Sequence, residues 1–229
     1  MQLLSMKKSF LALTLVASTA LGATLTACSD SNQNASTAQN LPATEADNKQ
    51  MEHNGSMNHS MEMDLGPADA DYDLRFIDAM VLHHQGAVVM AKEVQQKSKR
   101  PELKQLADEI IEAQEKEIAQ MQQWRNAWYP KAGEQPMAWY SQMGHMMLMS
   151  PEQMKAMRMD RDLGKADAEF DLRFLNAMIP HHEGALTMAR DALSKSQRPE
   201  VKQLAENIIT SQQKEIDQMK QWQQAWYRQ

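Results

Sequence analysis

With 229 residues, 42% of them hydrophobic, the chain is long enough to form one or two domains with a buried core. Its formal net charge of −6 gives no reason to expect a nucleic-acid partner, and its single cysteine excludes an intrachain disulfide. The outlying feature of the composition is 20 methionines, many of which stand close to histidine in the sequence.

Residues 1–27 have the features of an export signal. Lys7 and Lys8 form a basic start, and the apolar stretch 10–21 that follows is too short to span a membrane. The segment that ends at Cys28 resembles the lipobox of bacterial lipoproteins, which makes Cys28 the expected lipidation site. We therefore expect an exported, periplasmic protein with a lipid anchor in the cell envelope, at the outer membrane if the cell is Gram-negative. An ordinary cleaved signal is the alternative.

Residues 28–65 are predicted to form a flexible tether, because Ser, Asn, Gln, Thr and Ala predominate in most of it without periodicity. The stretch 51–63 within it is unable to bury a core, yet it spaces methionine and histidine at short intervals. Thioether and imidazole groups so spaced are able to share a soft metal ion; a disordered tail with accidental methionines is the alternative. The candidate ligands in this stretch are His53, Met57, His59, Met61 and Met63.

The rest of the chain contains an internal repeat, with a first copy at 66–129, a connector at 130–165 and a second copy at 166–229. At an offset of 98 residues, about 37 of 62 aligned positions are identical, which indicates a duplication. In each copy, apolar residues recur at helical spacing in two stretches, with Pro101 or Pro199 where the second helix is expected to begin. Two such hairpins have enough apolar surface to pair into an all-α four-helix bundle.

The connector is rich in methionine and contains one predicted helix. Ser150, Pro151 and Glu152 are typical of a helix start, which predicts a short helix over 150–163. Its methionines provide a second set of soft ligands, unless 143–159 is an amphipathic helix that uses methionine at core positions. The candidate ligands are Met143, His145, Met146, Met147 and Met149.

An adjacent histidine pair lies on the core-facing side of the first helix in each copy. At about 100° per residue, Met80, His83, His84 and Met90 point at or flank the apolar side of their helix. Each histidine is either a satisfied core residue among packing methionines or a metal ligand, and four buried imidazoles carry a desolvation cost that ligation or hydrogen bonds must offset. The second copy repeats the pattern, and a methionine of each second helix joins the apolar stripe; these further candidates are Met121, Met178, His181, His182, Met188 and Met219.

Polar residues interrupt the apolar stripe of each second helix. Glu117 and its copy Glu215 are expected to face a histidine and to fix the ring tautomer that leaves the other nitrogen for a metal. A buried Glu–Arg or Glu–Lys pair, for example with Arg75 and Arg173, is an equal alternative. The candidates for this supporting role are Gln114, Glu117, Gln212 and Glu215.

Thioether and imidazole together form a soft-to-borderline ligand set, which favours copper and especially Cu(I). Zinc rarely accepts methionine, and calcium and magnesium prefer oxygen, whereas Ag(I) fits the same ligands. The two copies need not bind equivalently, because Pro180 replaces Leu82 and predicts a bend just before the second histidine pair.

The stretch from Phe174 to Ala185, with its paired histidines and with Met188 after it, resembles the signature of domain-of-unknown-function family 305 (DUF305). Residues 66–128 match the same pattern, with leucine in place of the proline. The resemblance covers nearly all of the chain after the tether and implies a ferritin-like helical bundle. It also implies that the His and Met positions of this motif are candidate ligands. The exported, Met-rich character is similar to that of periplasmic copper-binding proteins tied to copper resistance.

A ferritin-like di-iron oxidase is the first rival interpretation. Its site needs inward Glu-x-x-His pairs, but the positions three residues before the helical histidines hold Met80, Val81, Met178 and Ile179. The second rival is a non-metal envelope scaffold, in which the five tryptophans form a sticky surface. We expect a non-enzymatic protein that sequesters Cu(I) or passes it to a copper exporter or a cuproprotein.

Overall fold

The structure, a computed structural model, describes residues 64–228, which are mostly helical. Its elements are α1 (Tyr72–Lys97), α2 (Pro101–Trp128), β1 (Met137–Tyr140), β2 (His145–Leu148), α3 (Pro151–Arg158), α4 (Phe170–Lys195) and α5 (Pro199–Tyr227). The export signal, Cys28 and the candidate ligands of 51–63 lie outside the described residues. Within residues 64–228, no helix combines the length and the hydropathy that a membrane span requires.

Each copy of the repeat folds into one helical hairpin with the same sharp connection. α2 and α5 begin at Pro101 and Pro199, whose fixed φ suits a first helical position and whose missing N–H is not needed there. In the preceding turn, the hydroxyl of Ser98 accepts a hydrogen bond from the backbone N–H of Arg100 at 3.1 Å, and the second copy repeats the bond at 3.1 Å. The predicted hairpins are therefore confirmed. α4 is helical on both sides of Pro180, and the bend there stays a prediction.

The two hairpins share the core of the bundle. α1 packs on α2, α4 packs on α5, and α1 packs against α4. The first core cluster joins buried side chains of the first half of α1 to those of the second half of α4, the start of α5 and Met121. The second core cluster joins the second half of α1 and the start of α2 to the first half of α4 and the end of α5. Because each cluster takes side chains from both copies, the predicted four-helix bundle is confirmed, and neither hairpin has a complete core alone.

The loop that leads into each first helix is held by both copies of the repeat. The guanidinium Nε of Arg75 donates to the carbonyl of Leu65 at 2.7 Å, and its copy makes the same bond at 2.7 Å. A lysine at the end of each first helix bonds to the loop of the other copy. The Nζ of Lys97 donates to the carbonyl of Gly164, and the lysine of the second copy donates in return to the carbonyl of Gly66, both at 2.8 Å. These reciprocal bonds tie each hairpin to the loop of the other.

The connector contains the predicted short helix, α3. Ser150 caps its start in a capping box: its hydroxyl accepts a hydrogen bond from the backbone N–H of Gln153, and the side chain of Gln153 accepts one from the backbone N–H of Ser150. The helix ends at Arg158, five residues before the predicted end at 163, because Met159 adopts a left-handed conformation with a φ of 49°. The start of α3 was thus readable from the sequence and its end was not.

The connector also contains a β-hairpin that the sequence did not indicate. β1 and β2 pair in antiparallel fashion, with Met137 opposite Leu148. The carboxylate of Asp78 accepts hydrogen bonds from the backbone N–H of Met137 at 2.9 Å and from the guanidinium of Arg125, which fastens the hairpin to α1 and α2. The interpretation of 143–159 as one amphipathic helix is wrong, since its first residues belong to this hairpin. Four-residue strands rich in methionine lack the β-branched alternation that identifies short strands.

Candidate metal centre

A layer of polar side chains crosses the middle of the bundle, between the two core clusters. Each of the four long helices contributes two of them near its midpoint, and the four histidines are at most 1% exposed. The predicted core-facing placement of the paired histidines is therefore confirmed. The layer consists of His83, His84, Gln114, Glu117, His181, His182, Gln212 and Glu215.

One histidine of each pair is held by a glutamate from the other helix of its hairpin. The Nε2 of His84 lies 2.7 Å from the Oε2 of Glu117, and the Nε2 of His182 lies 2.6 Å from the Oε2 of Glu215. Because a carboxylate accepts, each Nε2 carries a ring proton, and in the neutral ring each Nδ1 keeps its lone pair. The alternative ion pair with Arg75 is wrong, since that guanidinium and its copy bind the loops before α1 and α4.

The Nδ1 atoms of His84 and His182 are buried without a hydrogen-bond partner among the described residues. The same holds for the Oε1 atoms of Gln114 and Gln212. A buried acceptor without a donor is costly, so native proteins usually place such an atom where another group or an ion reaches it. An imidazole with a carboxylate behind one nitrogen and a free lone pair on the other fits a metal ligand.

The other two histidines meet where the two hairpins pack together. The ring centroids of His83 and His181 lie 3.8 Å apart, with the ring planes at 47°. The Nε2 of His181 donates to the backbone carbonyl of Arg158, at the end of α3, at 3.0 Å. Burial, and after it the nearby His182 and His84, lowers the pKa of His181 to about 3. This ring is therefore neutral at neutral pH.

Gly86 allows the connector to approach the polar layer. A Cβ atom at this position would lie 1.8 Å from the carbonyl oxygen of Arg158 and 3.2 Å from the Nε2 of His181. The end of α3 therefore rests directly on the backbone of α1. The one sign of this contact in the sequence is a glycine inside a helical stretch, a position at which glycine usually has a packing reason.

Three methionines with 0% exposure lie on each side of the polar layer. They are Met80, Met121 and Met188 in the first core cluster, and Met90, Met178 and Met219 in the second. We call the first three with His84 the His84 group, and the other three with His182 the His182 group. Met80 and Met121 each stand one helical turn from the His84–Glu117 pair, on the side of the first core cluster.

Each group takes ligands from both copies of the repeat. The sequence pattern placed each of Met90 and Met188 with the histidine pair of its own copy. The structure exchanges these two residues, because α1 and α4 run antiparallel and the end of one helix lies beside the start of the other. The candidate ligands are thus brought together in two groups that differ from the sets read along the chain.

The candidate ligands of the connector do not join the polar layer. Met143 and Met147 are 60% and 37% exposed, and the Nδ1 of His145 lies 3.3 Å from the backbone carbonyl of Met146. Met149 is different, because it is 4% exposed and belongs to the first core cluster. The connector therefore places its methionines partly at the surface and partly beside the His84 group.

Within residues 64–228, no three side chains drawn from His, Cys, Asp and Glu converge as a metal-binding group. Thioether sulfur and imidazole nitrogen are the soft groups that the interior of this part of the chain offers to a metal ion. Such a ligand set is soft, neutral and shielded from water, which is the environment that suits Cu(I) and Ag(I).

The chain matches one family model and is similar to several solved structures. The model of DUF305, a domain of unknown function, matches residues 20–125 and 73–223. The Cu(II)-bound structure of CopM is 39% identical, with a TM-score of 0.54, and the similarity covers 68% of this chain and 97% of CopM. CopM has also been solved in Cu(I)-bound, Ag-bound and apo forms.

Two further proteins are similar over different lengths. A DUF305 fragment from Deinococcus radiodurans is 28% identical, with a TM-score of 0.50, over 67% of this chain and 95% of the fragment. The uncharacterized protein L153 of Acanthamoeba polyphaga mimivirus is 49% identical over 49 residues, which is 21% of this chain. The matched region spans 32% of the length of that viral protein.

Proposed function

The chain belongs to the DUF305 family, and we propose that it is an exported copper-binding protein that prefers Cu(I) and accepts Ag(I) at the same ligands. It sequesters the ion in the cell envelope or delivers it to an exporter or a cuproprotein, and so contributes to copper tolerance. This is a binding function without a catalysed reaction. The similarity to CopM, which has been solved with copper and with silver, supports the proposal.

The observation that carries the proposal is the pair of buried nitrogen atoms in the polar layer, which lies between two core clusters that contain methionine. The Nδ1 atoms of His84 and His182 are buried without a hydrogen-bond partner among the described residues, and each adjoins a cluster with three fully buried methionines. One imidazole and three thioethers supply the low coordination number and soft character that suit Cu(I).

The charge of each group favours a monovalent ion. Thioether and neutral imidazole carry no charge, and the charged side chain behind His84 is Glu117, which is 16% exposed. One carboxylate balances one positive charge, whereas a divalent ion would leave an uncompensated charge in the interior at a high desolvation cost. We therefore expect Cu(I) to bind these groups more tightly than Cu(II).

Export and anchoring at Cys28 belong to the proposal and rest on the sequence of residues 1–28. An envelope location suits thioether ligands, because methionine is not consumed by disulfide formation in an oxidising compartment. Binding at the envelope would intercept copper before it reaches the cytoplasm.

A non-metal envelope scaffold is the alternative function, and the tryptophans give it little support. Trp124 and Trp128 stack with ring centroids 5.1 Å apart, and the guanidinium of Arg198, from the other copy, lies 4.1 Å over Trp128. The second copy repeats both contacts at 5.0 Å and 4.0 Å. Tryptophans that are partly buried against the core clusters and that contact each other and an arginine offer less surface to a partner.

A competition titration tests the proposed function. The purified full chain is titrated with Cu(I) against a coloured Cu(I) chelator, beside variants in which leucine replaces the methionines of one group, since leucine keeps the core volume. The variants are Met80→Leu with Met121→Leu and Met188→Leu, Met90→Leu with Met178→Leu and Met219→Leu, and Met147→Leu as an exposed control. We expect each triple variant to lose one tightly bound Cu(I) relative to the wild type and the control to lose none.

Two results contradict the proposal in different ways. Equal binding by the wild type and both triple variants would assign copper to ligands other than these six methionines and would refute the two proposed groups. If the wild type withdraws no Cu(I) from the chelator, the copper function fails and the scaffold function replaces it.

A further inference from the structure

A cavity lined by methionines opens between the β-hairpin and α3. Its volume is about 360 Å³, which leaves room for an ion that arrives with water or a small ligand. Four thioethers line it, from Met137, Met143, Met149 and Met157, and Asp64 is the one charged side chain among the described residues of its lining. Soft ligands with no cationic neighbour in the lining suit a soft monovalent cation.

These methionines follow a gradient of exposure from solvent to core. Met143, in the turn between the strands, is 60% exposed, whereas Met149 and Met157 are 4% and 6% exposed. Met149 and Met157 also belong to the first core cluster, which contains all three methionines of the His84 group. Thioether side chains therefore occur at the cavity mouth, in its buried lining and in the core cluster that contains the His84 group.

The His182 group has no equivalent connection in the part of the chain that the structure describes. The buried methionines of the second core cluster are those of the His182 group alone. The connector, which supplies the cavity methionines, occurs once in the chain, and its two buried methionines belong to the first core cluster. The repeat therefore makes two groups with similar ligands but different access to the surface.

We propose that the Met-lined cavity is a loading site for Cu(I), from which Met149 and Met157 pass the ion to the His84 group. This inference rests on the proposed copper-binding function. Each transfer is a ligand exchange in which one Cu–S bond forms as another breaks. The ion remains Cu(I), and no proton moves because a thioether has none to lose, so no other reactant takes part. As a consequence, the His84 group fills faster than the His182 group.

The rate of loading tests this inference. The purified full chain is mixed rapidly with the Cu(I) complex of a coloured chelator, and the loss of the complex is followed by absorbance. We expect a fast phase that disappears in the variant with Met80, Met121 and Met188 changed to leucine. Met149→Leu with Met157→Leu should slow this phase about tenfold, within the ~1–3 decades over which association rates vary among variants of one site. The slow phase and the final amount bound should not change.

Two further variants separate a loss of ligands from a folding defect. Met137→Leu with Met143→Leu changes the mouth of the cavity outside the core clusters and should also slow the fast phase. Met146→Leu with Met147→Leu changes the same hairpin outside the cavity lining and should match the wild type. An unchanged fast phase in both cavity variants, or a smaller final amount bound at an unchanged rate, overturns the loading site while the copper function stands. A wild type that takes no Cu(I) from the chelator refutes the copper function itself.

Discussion

Replacing Gly86 by alanine should destabilise the bundle, although the same change stabilises most helices. Inside a helix, alanine is favoured over glycine by about 0.5–1 kcal/mol, because glycine loses more backbone freedom on folding. At this position the new Cβ would lie 1.8 Å from the backbone carbonyl oxygen of Arg158 and 3.2 Å from the Nε2 of His181. A backbone carbonyl cannot turn aside as a flexible side chain does, so the end of α3 has to move.

The expected magnitude follows from these contacts. Overpacking of a filled site costs about 1–3 kcal/mol, and weakening the hydrogen bond from His181 to the Arg158 carbonyl costs about 0.5–1.5 kcal/mol more. After the helical preference for alanine is subtracted, we expect the free energy of unfolding to fall by roughly 1–3 kcal/mol. For a domain of this size, each 1 kcal/mol lowers Tm by about 2–4 °C.

Urea unfolding followed by far-UV circular dichroism measures this change. Val89→Ala serves as a matched control, because Val89 is an exposed position on the same helix and its replacement should alter stability by less than about 0.5 kcal/mol. An increase in stability for Gly86→Ala would show that α3 does not press on α1 in solution. The hydrogen bond from His181 to the Arg158 carbonyl would then lose its structural basis.

Three other predictions concern protonation, the supporting glutamate and the shared core. Below pH 6.5 the unfolded chain protonates His181, whereas the folded chain excludes that proton until about pH 3. The free energy of unfolding is therefore highest above pH 6.5 and falls as the pH is lowered towards 3. Urea unfolding of the metal-free chain should show that it falls by about 2 kcal/mol between pH 7 and pH 5, and by less in His181→Gln. Glu215→Gln should weaken Cu(I) binding at the His182 group about 10–100-fold in a competition titration, and an equal loss at the His84 group would contradict the pairing. Hairpins 64–129 and 166–228, produced separately, should each lack a cooperative thermal transition by circular dichroism and regain one on mixing; independent folding of either would contradict the shared core.

The sequence predicts the bundle well because its signals are local. Helical periodicity, the prolines at the start of α2 and α5, and the repeat together determine four helices and their pairing. The angular position of His84 and Glu117 on their helices places both in the core, and the structure then brings them within 2.7 Å of each other. Glu117 is only 16% exposed, and Arg75 and Arg173 are bound to the loops before α1 and α4, so the histidine is the partner that remains on the facing helix.

Features that depend on contacts between distant segments could not be predicted from the sequence. The exchange of Met90 and Met188 between the two groups follows from the antiparallel packing of α1 against α4, which no periodicity along one helix reveals. The contact between Gly86 and the carbonyl of Arg158 depends on where the connector crosses α1. The β-hairpin escaped because methionine has no strong preference for strand over helix in so short a segment.

The reciprocal lysine bonds bear on how such a chain is assembled. Lys97 bonds to the loop of the second copy, and Lys195 bonds to the loop of the first. A protein with one copy would make both bonds by forming a homodimer about a two-fold axis. The tandem chain thus has the architecture of a homodimer whose subunits are fused, and fusion makes their association intramolecular. A symmetric dimer would have to carry the connector twice or not at all. Fusion permits a single connector, so two halves of common origin can differ in what packs against them.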